Sequence, residues 1–195
     1  MKKLIVIVIF MCSALTMNAQ KKLKIDTSKS IVKWTGSKLF SFGKHYGTVK
    51  FNSGNIIKSK AVILGGSFEV DMNSIVNTDG EYSEMLVGHL KNEDFFDVKK
   101  YPTAKLEMIS VKDKRVNVVE VKANLTIKGI THEVNFEATV KEADWTVTLT
   151  SKFIIDRTLW GINYKSKGVF GKAKDNIISD AIEFEVIVVT EINKC

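Results

Sequence analysis

The sequence predicts an all-β domain, an antiparallel sheet that closes on itself or doubles over, with a short helical insertion near residues 79–97. Three observations carry this. Apolar and polar side chains alternate with period two in one segment after another, as strands with one buried and one wet face require. Turn-forming residues separate those segments. Helical periodicity is confined to one stretch, so the strand–helix alternation of a parallel sheet is missing.

Residues 1–19 read as a secretory signal peptide ahead of the domain. Lys2-Lys3 form a basic start, Leu4 to Leu15 an apolar run, and Met17-Asn18-Ala19 ends on a small residue, which places cleavage at Ala19–Gln20. The expected location is therefore periplasmic or secreted. Removing 19 of 195 residues leaves 176, one domain over 20–195 with room for a sizeable core. Cys12 leaves with the leader and Cys195 is the last residue, so no internal disulfide is expected.

Along the mature chain the first candidate strands are Ile31 to Thr35 and Gly47 to Phe51. Asn52-Ser-Gly-Asn55 has the composition of a hairpin loop, and Ala61 to Leu64 leads into a break at Gly65-Gly66. Ser67 to Met72 alternates strictly, with Phe68, Val70 and Met72 on one side. Ala104–Met108, Val119–Ile127, Val134–Val140, Trp145–Leu149 and Ile182–Val186 repeat the pattern. Lys152 to Asp156 is expected to continue the Trp145 strand past a bulge, because Ser151-Lys152 shifts the phase. Asp113-Lys114 and Lys128-Gly129 are candidate turns, with Gly129 at positive φ.

The helical stretch is Glu81 to Leu90, where Tyr82, Met85, Leu86 and Leu90 share a face. Thr78 and Glu81 form a candidate capping box. Asn92 is placed to cap a second short turn, with Glu93 and Asp94 near its positive end. Phe95-Phe96 then points at apolar surface. Tyr101-Pro102 opens the next strand, where proline is tolerated because the first amide need not join the ladder.

Charge and motifs exclude several function classes. The net charge of +7 falls to +5 without Lys2 and Lys3, and the remaining lysines alternate with carboxylates instead of forming a nucleic-acid stripe. No nucleic-acid partner is expected; a weak contact with anionic membrane surfaces is compatible with the charge. His45, His89 and His132 show no metal-ligand spacing, and neither a GxSxG elbow nor a phosphate-binding glycine loop is present. No catalytic residue, metal site or cofactor is assigned, and the chain is read as a non-enzyme. An enzyme or metal protein built on those three histidines is the minor rival.

The apolar alternation says more. Val49, Phe51, Phe68, Val70, Met72, Leu106, Met108, Leu125, Ile127, Phe136, Val147, Leu149 and Phe184 form an inward set with almost no polar group. In a barrel of about eight strands such a set either packs solid or lines a tunnel for one apolar guest.

Several ordered blocks resemble the YceI-like family of exported, polyisoprenoid-associated proteins. They are DTSKSIVKW, GKHYGTVKFNSG, GGSFEVDMNSI, GHLKNEDFFDVKKYPTAKLE, NLTIKGITHEVNF, IDRTLWGINY and DAIEFEVIV. The resemblance implies an extended, lipocalin-like, closed antiparallel β-barrel of about eight strands with a short helical insertion. It implies an isoprenoid lipid as partner, of quinone or polyprenyl type, bound, transported or stored in the lumen. Phe51, Phe68, Val70, Met72, Leu86, Phe95, Phe96, Leu106, Met108, Leu125, Phe136, Leu149, Trp160 and Phe184 are then the expected lumen contacts. Arg157, with Lys165 second, is the candidate for a phosphate head, although an Asp156–Arg157 tie holding a loop is the preferred reading of that arginine. The alternative is a solid-cored exported module for stress or protein interaction, without a lipid; a homodimer through the barrel's outer face is also open.

Overall fold

The computed structural model describes residues 20–39, 43–80, 83–168 and 177–191. The expected leader, Cys12, Glu81, Tyr82 and Cys195 lie outside those residues. Nine strands form one antiparallel sheet: β1 (Lys21–Lys24), β2 (Ile31–Ser37), β3 (Lys44–Ser59), β4 (Val62–Asn77), β5 (Thr103–Arg115), β6 (Val118–Ile127), β7 (Ile130–Ala143), β8 (Thr146–Asp156) and β9 (Ala181–Val189). Their spatial order is β1-β3-β2-β9-β8-β7-β6-β5-β4, and a further β3–β4 pairing closes the ring.

Closure makes an eight-position barrel in which β1 and β2 share one position. β2 pairs with the first half of β3, from Ile31↔Lys50 to Ser37↔Lys44. β1 pairs with the second half, from Lys21↔Lys58 to Lys24↔Asn55. Ile25 and Thr190 form an isolated bridge that ties this lower piece to the end of β9. A short, lysine-rich β1 carries little alternation, which is why its sequence does not announce a strand.

The alternation of β6 shows how sequence becomes wall. Val119, Val121, Ala123, Leu125 and Ile127 are buried, while Glu120 and Lys122 face solvent. At the end of β6, Lys128 and Gly129 take φ of 50° and 74°. Two successive positive φ values are what a tight two-residue hairpin needs, and glycine adopts them without steric cost.

Four expected boundaries are corrected. Asn52–Asn55 lies inside β3, with a bulge between Phe51 and Ser53. Its polar side chains bond across the outer face, Asn52 Nδ2 to Glu69 Oε1 at 2.6 Å and Asn55 Nδ2 to Ser67 Oγ at 2.7 Å. Gly65-Gly66 lies inside β4, and the real turn is Lys60–Ala61. A Cβ on Gly66 would stand 2.6 Å from the Asn55 carbonyl oxygen, so that glycine serves close strand approach. Asp113-Lys114 belongs to β5, whose turn is Val116–Asn117. β8 runs through Ser151-Lys152 with unbroken register against β9, and Trp145 sits in the preceding turn. Ser151 faces inward in phase with Val147, Leu149 and Ile155, so a buried hydroxyl imitated a phase shift.

The insertion between β4 and β5 is helix α1 (Ser83–Lys91) and a compact turn. Thr78 Oγ1 donates to the Tyr46 carbonyl and so is engaged with β3. Asn92 caps as expected, its Oδ1 accepting from the Asp94 amide at 2.9 Å. Phe95, Phe96 and Val98 are buried and join the core beneath α1.

The two halves of the barrel are filled differently. Toward the Lys60–Ala61 and Asp144–Trp145 turns, Leu23, Ile25, Ile56, Ile63 and Val147 pack into a solid plug with Phe51 and Phe68. Toward α1 and the Arg157–Trp160 3-10 helix, side chains from the wall and the insertion surround a hollow.

Candidate functional site

That hollow is a cavity of about 320 Å³, within the ordinary range of small-molecule sites. Every strand but β1 contributes to its wall, and so do α1 and the turn behind it. Thirteen of the expected lumen residues line it. Phe51 comes from β3; Phe68, Val70 and Met72 from β4; Leu86 from α1; Phe95 and Phe96 from the turn. Leu106 and Met108 come from β5, Leu125 from β6, Phe136 from β7, Leu149 from β8 and Phe184 from β9.

Trp160 is the correction. It is 1% exposed and stands outside the lining, where its Nε1 donates to the Leu125 carbonyl at 3.1 Å. The TLWG segment therefore ties onto β6 through Leu125 and packs within the same core.

From His45 at the rim to Phe51 at the floor the lining spans six residues of β3, about 20 Å of strand at about 3.3 Å per residue. An aromatic band crosses the middle. Phe136 stacks on Phe153 with centroids 4.7 Å apart, and Phe153 lies 5.5 Å from Phe184. These surfaces suit a long, weakly polar guest, since dispersion contacts add up along it.

Polar groups at the cavity are few, and most are already engaged. Arg157 is 1% exposed. Its guanidinium donates to the carbonyls of Ser179 (3.0 Å), Ile162 (2.6 Å) and Ile178 (3.2 Å), and to Asp180 Oδ1 at 3.3 Å. Burial lowers its pKa, and the charges of Asp180 and Asp156 oppose that. Asp156 binds Thr158 instead of Arg157, accepting from its amide and its hydroxyl. Arg157 thus ties the loop over the barrel end through Ser179, Ile162, Ile178 and Asp180, and Asp156, its expected partner, is not among its hydrogen-bond partners. Lys165 is outside the lining, with Nζ 5.3 Å from the Tyr164 ring centroid.

The histidines have local partners too. His45 Nδ1 lies 2.7 Å from Asp79 Oδ2 at the cavity rim. Desolvation works to raise the Asp79 pKa, but the hydrogen bonds from His45 and Asn77 outweigh it and hold the carboxyl below its usual value. His89 packs against Tyr164 at 4.9 Å and Phe95 at 6.1 Å, under the insertion. His132 Nε2 lies 2.9 Å from the Leu159 carbonyl oxygen. Among the described residues no cluster of three or more His, Cys, Asp or Glu side chains is arranged to hold a metal.

Sequence reasoning missed part of the wall. Trp34 and Val32 on β2, Ile75 on β4, and Ser151 and Phe153 on β8 all line the cavity. Val32-Lys33-Trp34 does alternate, which was signal enough for the first pair. Ser151 offered none.

A family described as YceI-like domain matches residues 23–190. Curated relatives include a UPF0312 protein of Pseudomonas putida, 33% identical over 126 residues that cover 63% of this chain and 62% of that protein. Another from Vibrio cholerae is 31% identical over 97 residues, covering 50% of this chain and 47% of that one. The matched region thus spans less than two thirds of those relatives. Among solved structures, Burkholderia cenocepacia BcnA superposes with a TM-score of 0.71 at 21% identity, covering 86% of this chain and 99% of that one. A polyisoprenoid binding domain from Saccharophagus degradans, implicated in plant cell wall breakdown, gives 0.63 at 16% identity, covering 87% and 98%. At such identities the likeness concerns the fold.

Proposed function

The chain belongs to the YceI-like domain family, and from that premise we propose that it binds one long-chain isoprenoid lipid, of quinone or polyprenyl type, in the barrel lumen without catalysing a reaction. The observation that carries the reading is the apolar cavity walled by thirteen of the expected residues. The relative from Saccharophagus degradans, described as polyisoprenoid binding, supports the ligand class.

Energetics agree with it. Each buried methylene contributes about 0.8 kcal/mol, so twenty buried carbons supply on the order of 15 kcal/mol before the costs of ordering and lost translation. Tail burial alone is sufficient for tight binding, and a charged head contact is not needed. The solid-cored alternative requires side chains meshed from end to end, whereas only the half beneath Phe51 and Phe68 is packed in that way. The leader-like pattern of residues 1–19 supports export, with carriage or storage of lipid outside the cytoplasm.

Organic extraction of the purified protein followed by mass spectrometry tests the proposal. The expected result is an isoprenoid in near-stoichiometric amount, and its uptake again by refolded, delipidated protein. A protein that arrives empty and ignores both polyprenols and quinones overturns it.

A further inference from the structure

We propose that Trp34 orients the guest, its indole N–H donating to an uncharged oxygen, a carbonyl or hydroxyl, on an isoprenoid head drawn into the lumen. The inference rests on the lumen reading and adds a head-inward orientation and a head chemistry to it.

Trp34 is 7% exposed and lines the cavity, facing inward from the middle of β2 opposite Gly47 and Phe184. Its Nε1 is the one buried side-chain nitrogen or oxygen without a hydrogen-bond partner among the described residues. A buried donor left unpaired is costly, and proteins tolerate few. The other tryptophan of the core illustrates the rule, since Trp160 Nε1 is satisfied by Leu125.

A water molecule is a poor answer at that position. Buried waters ordinarily make about three hydrogen bonds. Val32, Val49, Ile182 and Phe184, inward neighbours of the indole in the register, are apolar, while His45 stands one inward position toward the rim on β3 and the Val76 carbonyl lies across Gly47. Ser151, a polar side chain buried in the wall alongside Arg157, is level with Val186 and Val32, two strands away and one inward position deeper. A ligand oxygen needs only the single donor, because its carbon frame meets the apolar wall.

Charge decides the head class. A phosphate inside this wall would lose its hydration, and among the described residues no cation free of a partner faces it there, a far larger cost than for a carbonyl. Arg157 is committed to three carbonyls and Asp180, and Lys38 and His45 stand at the rim. A neutral oxygen has no such penalty and gains the one donor on offer.

The test compares ubiquinone-2 with squalene, an isoprenoid hydrocarbon without oxygen, on wild-type and Trp34→Phe protein. Trp34→Phe keeps an aromatic ring and removes the N–H. It should weaken ubiquinone-2 by about twofold to tenfold more than it weakens squalene, the worth of one hydrogen bond over the contact area both probes lose. Equal weakening of both probes, or of neither, overturns the proposal while leaving the lumen reading in place. Wild-type protein that takes up neither probe removes the lumen reading and this inference together.

The indole N–H resonances give a second readout. The chain has three tryptophans, so Trp34 is identified by the signal that Trp34→Phe removes. That signal should shift with ubiquinone-2 and stay put with squalene, while the Trp160 signal reports an intact fold. A Trp34 signal that responds alike to both probes contradicts the proposal.

Discussion

Gly47 lies directly opposite Trp34 in the β2–β3 ladder, so close that a Cβ on Gly47 would stand 2.8 Å from the indole Cζ2. The same atom would fall 1.8 Å from the Val76 carbonyl oxygen of β4. The missing side chain leaves room there for both the β4 backbone and the edge of the indole. Gly47→Ala cannot be absorbed by a rotamer change, because one clash is with backbone. It is expected to destabilise the fold by about 2–3 kcal/mol, read as a lower denaturant midpoint with an unchanged slope.

Arg157 separates a loop tie from a head-group contact. Arg157→Met should cost about 3 kcal/mol, because three carbonyls and Asp180 lose their buried partner. Relative affinities for a polyprenol and its phosphate should not change. A variant of full stability that loses only the phosphate would restore Arg157 as a head-group residue.

Glu185 sets an acid limb. Hydrogen bonds from Lys33 and then Lys152 hold its carboxyl at about 2, against an ordinary 4.5. The folded pKa lies below the unfolded one, so between those values the unfolded chain binds more protons and stability rises with pH. The contribution is therefore complete above about pH 4.5 and is lost as pH falls toward 2. Glu185→Gln should lower the neutral-pH denaturant midpoint slightly and flatten the acid limb in that window. Parallel acid limbs for the two proteins would refute the assignment.

How much of this was legible varied with the residues. Strands whose inward positions are all apolar, such as Val118–Ile127, were readable from alternation alone. Ser151 broke that alternation chemically while keeping it geometrically. Asn52–Asn55 and Gly65-Gly66 carry turn residues, yet one pairs polar groups across the outer face and the other permits close strand approach. The β2–β9 pairing, about 150 residues apart in the chain, and the shared position of β1 and β2 depend on long-range pairing that no local window contains. Ten cavity-lining residues on the strands were recognisable because their chemistry and phase agreed, while Leu86, Phe95 and Phe96 came from the apolar side of the insertion. Trp160 was placed in the lining because an aromatic buried in the core beside a cavity reads like one that faces it.

The central claim is that the hollow half of the barrel holds one greasy guest, and native mass spectrometry of the intact protein tests it most directly. Ala104, buried and on the cavity wall, provides the control: Ala104→Trp fills the space at an overpacking cost of about 1–3 kcal/mol. The account predicts one lipid-sized mass adduct per chain on the wild type, absent from the filled variant. A wild type found only at its bare polypeptide mass, or an adduct that the filled variant keeps, would contradict it.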